Sequence, residues 1–283
     1  MHTIYSPTMK LTPLLLTHYS PKAEYGDAAP PSSKLVERTI VSLYHRVREN
    51  NFRGLQRPIL VYNEPYKMTS EANAYKENLV IVCNEHKIKL HVKKNDGIRS
   101  GLSKLIDLMN TQYGFFLEHD WEIVRPIDFK YIVETLHNHD EVNYIRLNKR
   151  QNTRYKDPYL DSCNNYPYLC KSGKFSNNPH FFDVKNYSTW IENSKFNYEI
   201  MKILLKRPHR NNMVNIGAIK NAILNKYIFG PRPNDIHTTV EDALDLKYRY
   251  DIKNCGFEFA HADWGIYLYG QMGDGPYIQH LGR

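Results

Sequence analysis

Residues 113–121 read Y-G-F-F-L-E-H-D-W, an apolar run that ends in two carboxylates, Glu118 and Asp120, two positions apart. Bounded by Asn110 and Gly114, the run predicts a short buried strand that stops where charge begins. In a mostly parallel sheet, the carboxyl end of a strand is where ligands bind. Alternate residues of an extended chain point the same way, so Glu118 and Asp120 can share one target. Two oxygen ligands at a crevice suit a hard divalent cation, and such a cation often carries a diphosphate. The same pattern also describes a strand ending in solvated charges, so the neighbouring segments must decide.

Upstream, residues 10–16 read as a first strand, followed by a polar loop over 17–33 that contains Pro21, Gly26, Pro30 and Pro31. A helix is predicted over 33–50, capped by Ser32 or Ser33, with Leu35, Ile40, Leu43 and Val47 as its apolar stripe. Residues 58–62 form a second strand, and 69–79 a helix capped by Thr69 or Ser70. Residues 80–83 and 88–92 are strand-like, and 101–110 is a helix leading into the acidic strand. This strand–helix alternation with short links predicts a three-layer α/β sheet over the first 125 residues.

The second half is less regular. It suggests a helix over 128–137, a strand over 142–147, and a polar, aromatic-rich loop over 148–178. A strand over 181–184 and helices over 187–196 and 213–226 follow, before a Gly/Pro break at 230–234. No linker-like change of composition separates the halves.

At 283 residues, 41% hydrophobic and 24% charged, the chain has the composition of a globular protein with a sizeable core. Its longest aliphatic run near the start, residues 14–16, is too short for a signal peptide, and no stretch approaches the roughly 18 apolar residues of a membrane span. A cytoplasmic protein is the expectation. Cys83, Cys163, Cys170 and Cys255 show no zinc-ligand spacing and are expected to be reduced. The net charge of +8 implies an anionic partner, whether a nucleotide, a nucleic acid or a membrane surface.

Several segments carry candidate chemistry. The loop after strand one holds Thr17 and Tyr19, whose ring can stack on a base; Asn63 and Glu64 end strand two and can hydrogen-bond a base or ribose. The turn from Asn95 through Gly97 to Arg99 opens the helix before the acidic strand, where a glycine allows close approach and an arginine can pair with phosphate. Glu118 and His119 complete this donor-side set. Further on, Glu241 and Asp242 precede an amphipathic stretch, where they fit a catalytic role or a helix N-terminus. His280 lies in the glycine-rich stretch 265–282, which suggests a lid or an ordered loop, and is a plausible metal ligand. Tyr155, Tyr159, Tyr166, Tyr168 and Trp190 are candidates to pack on a sugar face.

The order of these pieces resembles the GT-A glycosyltransferases, especially the large family-two-like group of inverting sugar transferases. The resemblance rests on the 95–120 block, with Glu118-His119-Asp120 in the place of a D-x-D motif, and on Glu241-Asp242 and His280. It implies one GT-A-like α/β/α domain over 1–283 with a mainly parallel central sheet, about 1–125 binding a nucleotide sugar and about 126–283 the acceptor. It further implies that Asp120, assisted by Glu118 and His280, holds Mn²⁺ or Mg²⁺ on the sugar diphosphate. Asp242 of the Glu241-Asp242 pair would then act as base toward an acceptor hydroxyl on a glycan or other molecule, with inversion. Two positions depart from the family pattern, Glu118 at the first aspartate and Asn63-Glu64 at the end of strand two. A nucleotidyltransferase on a similar sheet and a non-catalytic glycan- or nucleic-acid-binding protein are the alternatives, nucleic acid being the less favoured partner.

Overall fold

A computed structural model of the chain describes residues 9–19, 33–193 and 240–281. Its first half alternates as the sequence implies: β1 (Leu11–His18), α1 (Ser33–Glu49), β2 (Ile59–Glu64), α2 (Ser70–Glu85), β3 (Lys89–Lys94), α3 (Ile98–Asp107) and β4 (Tyr113–Glu118). Then come β5 (Trp121–Ile123), α4 (Phe129–Asn138), β6 (Tyr144–Arg146), β7 (Asp161–Ser162), β8 (Leu169–Lys171), β9 (His180–Asp183) and α5 (Val184–Asn193). The last described elements are α6 (Val240–Cys255), α7 (Phe257–Trp264), β10 (Ile266–Tyr269) and β11 (Ile278–His280).

The period-two alternation of the central strands separates the two helical layers. Leu14, Leu16 and Phe116 pack on one face against Leu102 and Leu105 of α3, Ile191 of α5 and Leu244 and Tyr248 of α6. Leu15 and Leu60 point the other way, onto Val36 and Ile40 of α1 and Leu79 of α2. Phe115 and Leu117 continue that second face, meeting Leu43 of α1 and Phe129, Ile132 and Val133 of α4. The main sheet runs β3-β2-β1-β4-β9-β6-β10-β8-β7. Its longest ladders, among β1, β2, β3 and β4, are parallel, while β9 runs antiparallel between β4 and β6. This is a three-layer α/β/α arrangement with a mainly parallel sheet.

Several local expectations change. Residues 80–83 are not a strand but the end of α2. Val82 and Cys83 complete the buried stripe begun by Ala72, Tyr75 and Leu79, leaving Val80 and Ile81 41% and 54% exposed. Burying an apolar side chain is worth roughly 1.5–3 kcal/mol, against strand propensities that span only about 1 kcal/mol. The expected loop over 148–178 contains β7 and β8, because Leu169–Lys171 pairs with β10 far along the chain. Of the two readings of the stretch around His280, a lid or an ordered loop, the structure shows order, as β10, a turn and β11. The helix expected over 213–226, the break at 230–234 and the loop beyond Tyr19 lie outside the described residues. The four cysteines are free. Among the described residues, no helix is long and apolar enough to cross a membrane.

Candidate active site

Parallel pairing brings strand ends to one edge of the sheet, with Leu16 opposite Glu118, His18 opposite Asn63 and Glu64 opposite Lys94. The start of α3 lies against this edge. Gly97 caps the helix at φ 90°, a conformation that favours glycine, and its N–H donates to Asn95 Oδ1 at 3.0 Å. A Cβ on Gly101 would come within 2.5 Å of Leu16 Cδ1 and 2.8 Å of Asn63 Nδ2, so the helix approaches β1 and β2 closely only because that side chain is absent.

β4 ends at Glu118, and His119 and Asp120 form a turn where the sequence suggested continued strand. The backbone N–H of His119 donates to Leu16 O at 3.2 Å, and Thr39 Oγ1 donates to His119 O at 2.9 Å. The His119 ring is buried against His18, and burial lowers its pKa to about 4, so it is neutral and structural near pH 7. It supports the motif and does not join the donor-side set.

Asp120 is placed by tertiary pairing. β11 lies antiparallel to β5 with His280 opposite Trp121, and Leu281 N–H donates to Asp120 O at 2.6 Å. His280 Nε2 then sits 2.9 Å from Asp120 Oδ2, its ring edge-on to Trp121 at 4.9 Å. The other carboxylate oxygen, Asp120 Oδ1, is buried with no hydrogen-bond partner among the described residues. Glu118 lies close enough to Asp120 and Glu241 for their charges to matter: burial first, then those two carboxylates, push its pKa up to about 8, against the pull of Lys149. Glu241, in the first turn of α6, is also raised by burial, an effect opposed by hydrogen bonds from the Ser176 hydroxyl and the Asn177 backbone. Asp242 beside it is exposed.

The structure therefore gathers Glu118, Asp120, His280 and Glu241, with Lys149 as a cation that the sequence reading missed. Lys149 follows the strand at 144–146 and could have been found by the rule already applied to β4, that functional groups collect after strand ends. Other expected donor groups are engaged elsewhere. Thr17 Oγ1 is 2.5 Å from Tyr75 Oη, and the Tyr19 ring packs 5.8 Å from that of Tyr75. Glu64 is held between Lys76 at 2.8 Å and Lys94 at 2.6 Å, and these two lysines lower its pKa. Arg99 is exposed. Asn63 remains at the crevice: Nδ2 donates to Gly97 O at 3.4 Å, and its buried Oδ1 has no hydrogen-bond partner among the described residues. Of the aromatic candidates, Tyr166 is buried in the core and bonded to Glu141, and Trp190 is partly buried and packs on Trp264 at 5.0 Å.

Carboxylate oxygens are the ligands Mg²⁺ and Mn²⁺ prefer, and the unpartnered Asp120 Oδ1 fits a cation there. Glu118 is less closely placed. Among the described residues, the group of three candidate ligand atoms all within 4.8 Å of one another is Glu37, Glu85 and His86, between α1 and α2.

No protein-family model and no curated relative matches the chain. Solved structures similar to it include S. aureus TarS residues 1–349, at 10% identity and TM-score 0.44 over 96% of this chain and 60% of that one. A CMP:2-keto-3-deoxy-manno-octonic acid synthetase complexed with CTP aligns at 11% identity and TM-score 0.42, over 95% and 93% of the two chains. The glucosyl-3-phosphoglycerate synthase of Mycobacterium tuberculosis, with Mn²⁺, UDP-glucose and phosphoglyceric acid, aligns at 10% identity and TM-score 0.38 over 63% and 57%. The chain thus spans little more than half the length of two of these three. The chemistry of the site stands on its own residues.

Proposed function

We propose that this chain is a metal-dependent glycosyltransferase that moves a sugar from a nucleotide-sugar donor to an acceptor hydroxyl with inversion. The observation that carries this reading is the convergence of Glu118, Asp120, His280 and Glu241 at the carboxyl end of parallel strands, with Asp120 Oδ1 buried and unpartnered among the described residues. Asp120 and His280 would hold Mn²⁺ or Mg²⁺, with Glu118 beside them. Bound there, the cation would act as a Lewis acid toward the leaving diphosphate.

The chain's own groups do the rest. Asn63 and the first turn of α3 face the donor side, where backbone N–H groups favour an anion. Glu241 is the acceptor-side base. A carboxylate raised toward neutrality by burial is better matched to proton abstraction than a solvated one, and Glu241 faces Glu118 while Asp242 is exposed. This assigns to Glu241 the role that the resemblance gave to Asp242. A single displacement from the opposite face inverts the anomeric configuration.

The test is a panel of nucleotide sugars with Mn²⁺ and Mg²⁺, scored by donor hydrolysis and thermal stabilisation. Release of a nucleoside diphosphate supports the proposal. Release of pyrophosphate from a nucleoside triphosphate would instead mark a nucleotidyltransferase. Salt-sensitive glycan or nucleic-acid binding that survives Asp120→Asn, with no turnover, would mark a binding protein.

A further inference from the structure

Beyond β6, the chain lines a cavity of about 380 Å³, a volume suited to a small molecule. Its wall carries six cationic side chains, those of Arg146, Lys149, Arg150, Lys156, Lys174 and Arg249, against the three carboxylates of Asp157, Glu241 and Asp245. Part of that charge is balanced within the fold. Arg146 Nη2 lies 3.6 Å from Asp157 Oδ2, and Arg249 Nη2 lies 2.6 Å from Asp245 Oδ2. Among the described residues, no carboxylate lies within 4.0 Å of the charged nitrogens of Arg150, Lys156 or Lys174. Arg146 Nε is also buried with no hydrogen-bond partner among the described residues.

Cations held together around a concave wall repel one another, and an anion between them relieves that repulsion. The wall is continuous with the acidic centre, because Lys149, Ser176 and Glu241 belong to both. We propose that this cavity binds the acceptor, and that the acceptor is a small hydroxyl compound carrying a phosphate ester. The inference rests on the transferase reading above. The phosphate lies among Arg150, Lys156 and Lys174, and the reacting hydroxyl lies at Glu241. In the transfer, the acceptor oxygen bonds to the anomeric carbon as the bond from that carbon to the diphosphate oxygen breaks. The diphosphate leaves with the bonding pair, and the hydroxyl proton passes to Glu241. A phosphate ester, at roughly −1.5 to −2 near neutral pH, matches the excess of positive charge better than a carboxylate does.

Calorimetric titration of the full chain with inorganic phosphate, glucose 6-phosphate, glucuronate and glucose tests this. Inorganic phosphate and glucose 6-phosphate should bind at least about tenfold tighter than glucose, with glucuronate between. Arg150→Glu and Lys156→Glu should each weaken binding of the two phosphates by about tenfold or more without weakening glucose binding. Equal affinity for glucose and both phosphates, or phosphate binding unmoved by both reversals, overturns the proposal. Donor hydrolysis by the same preparation reports on the transferase reading separately. Phosphate binding without any donor hydrolysis would refute the acceptor role while leaving an anion pocket.

Discussion

His280 Nε2 lies 2.9 Å from Asp120 Oδ2 although His280 belongs to β11 and Asp120 to the turn after β4. The contact exists because β11 pairs with β5, which follows Asp120 directly. A carboxylate held by an imidazole on one oxygen and buried without a hydrogen-bond partner on the other is poised to take a cation.

Asp120→Asn should therefore abolish metal-dependent stabilisation by a nucleoside diphosphate. At about a hundred times its dissociation constant, such a ligand adds about 2.7 kcal/mol to the wild type. Thermal unfolding with Mn²⁺, with and without the nucleotide, reads the effect directly. An undiminished shift in the variant would remove Asp120 from the metal site.

The Glu241-Asp242 pair separates by burial. Glu241→Gln should lower transfer by about 10² to 10⁴ while donor binding persists, the usual range for loss of a general base. Asp242→Asn, at an exposed position, should cost less than about tenfold, a loss of under about 1.4 kcal/mol. The reverse ranking in steady-state kinetics would restore the role to Asp242.

Gly101→Ala should destabilise the fold, although alanine normally favours a helix interior over glycine by roughly 0.5–1 kcal/mol. The new Cβ would meet Leu16 Cδ1 at 2.5 Å and Asn63 Nδ2 at 2.8 Å. Overpacking of this kind costs about 1–3 kcal/mol, enough to reverse the propensity gain. Urea unfolding that shows a more stable variant would contradict the close approach of α3 to β1 and β2.

Burial lowers the pKa of His180 from 6.5 to about 3, with Nε2 2.8 Å from Tyr187 Oη and Nδ1 2.8 Å from Asn178 O. Between those values the unfolded chain binds a proton that the folded chain does not. Stability is therefore present above the unfolded pKa and falls as pH falls through this window, by about 1.4 kcal/mol per pH unit for one group. The stability difference between wild type and His180→Gln should shrink at that rate between pH 6 and pH 4. A difference that stays constant in denaturant titrations across that range would show that His180 does not titrate as a buried neutral ring.

The existence of β1, β2 and β4, their mainly parallel direction, the helices between them and the position of Glu118 and Asp120 at or just past a strand end were legible in the sequence. Each of these depends on a local period or an abrupt boundary between apolar and charged residues. The end of α2 at Val80–Cys83 was misread because an apolar run does not reveal its period when a buried helical stripe continues through it. Nothing local could announce that Glu64 would be held by Lys76 and Lys94, or that Lys149 would face Glu118 and Glu241.

The sequence by itself determined an alternating α/β chain with carboxylates at the end of its central strand, because backbone periodicity is written residue by residue. Only the tertiary structure decided which groups meet there: His280 with Asp120 through the β5–β11 pairing, and Glu241 over Asp242 through the phase of α6. Those choices depend on strand pairing and burial between distant segments, which no local spacing encodes.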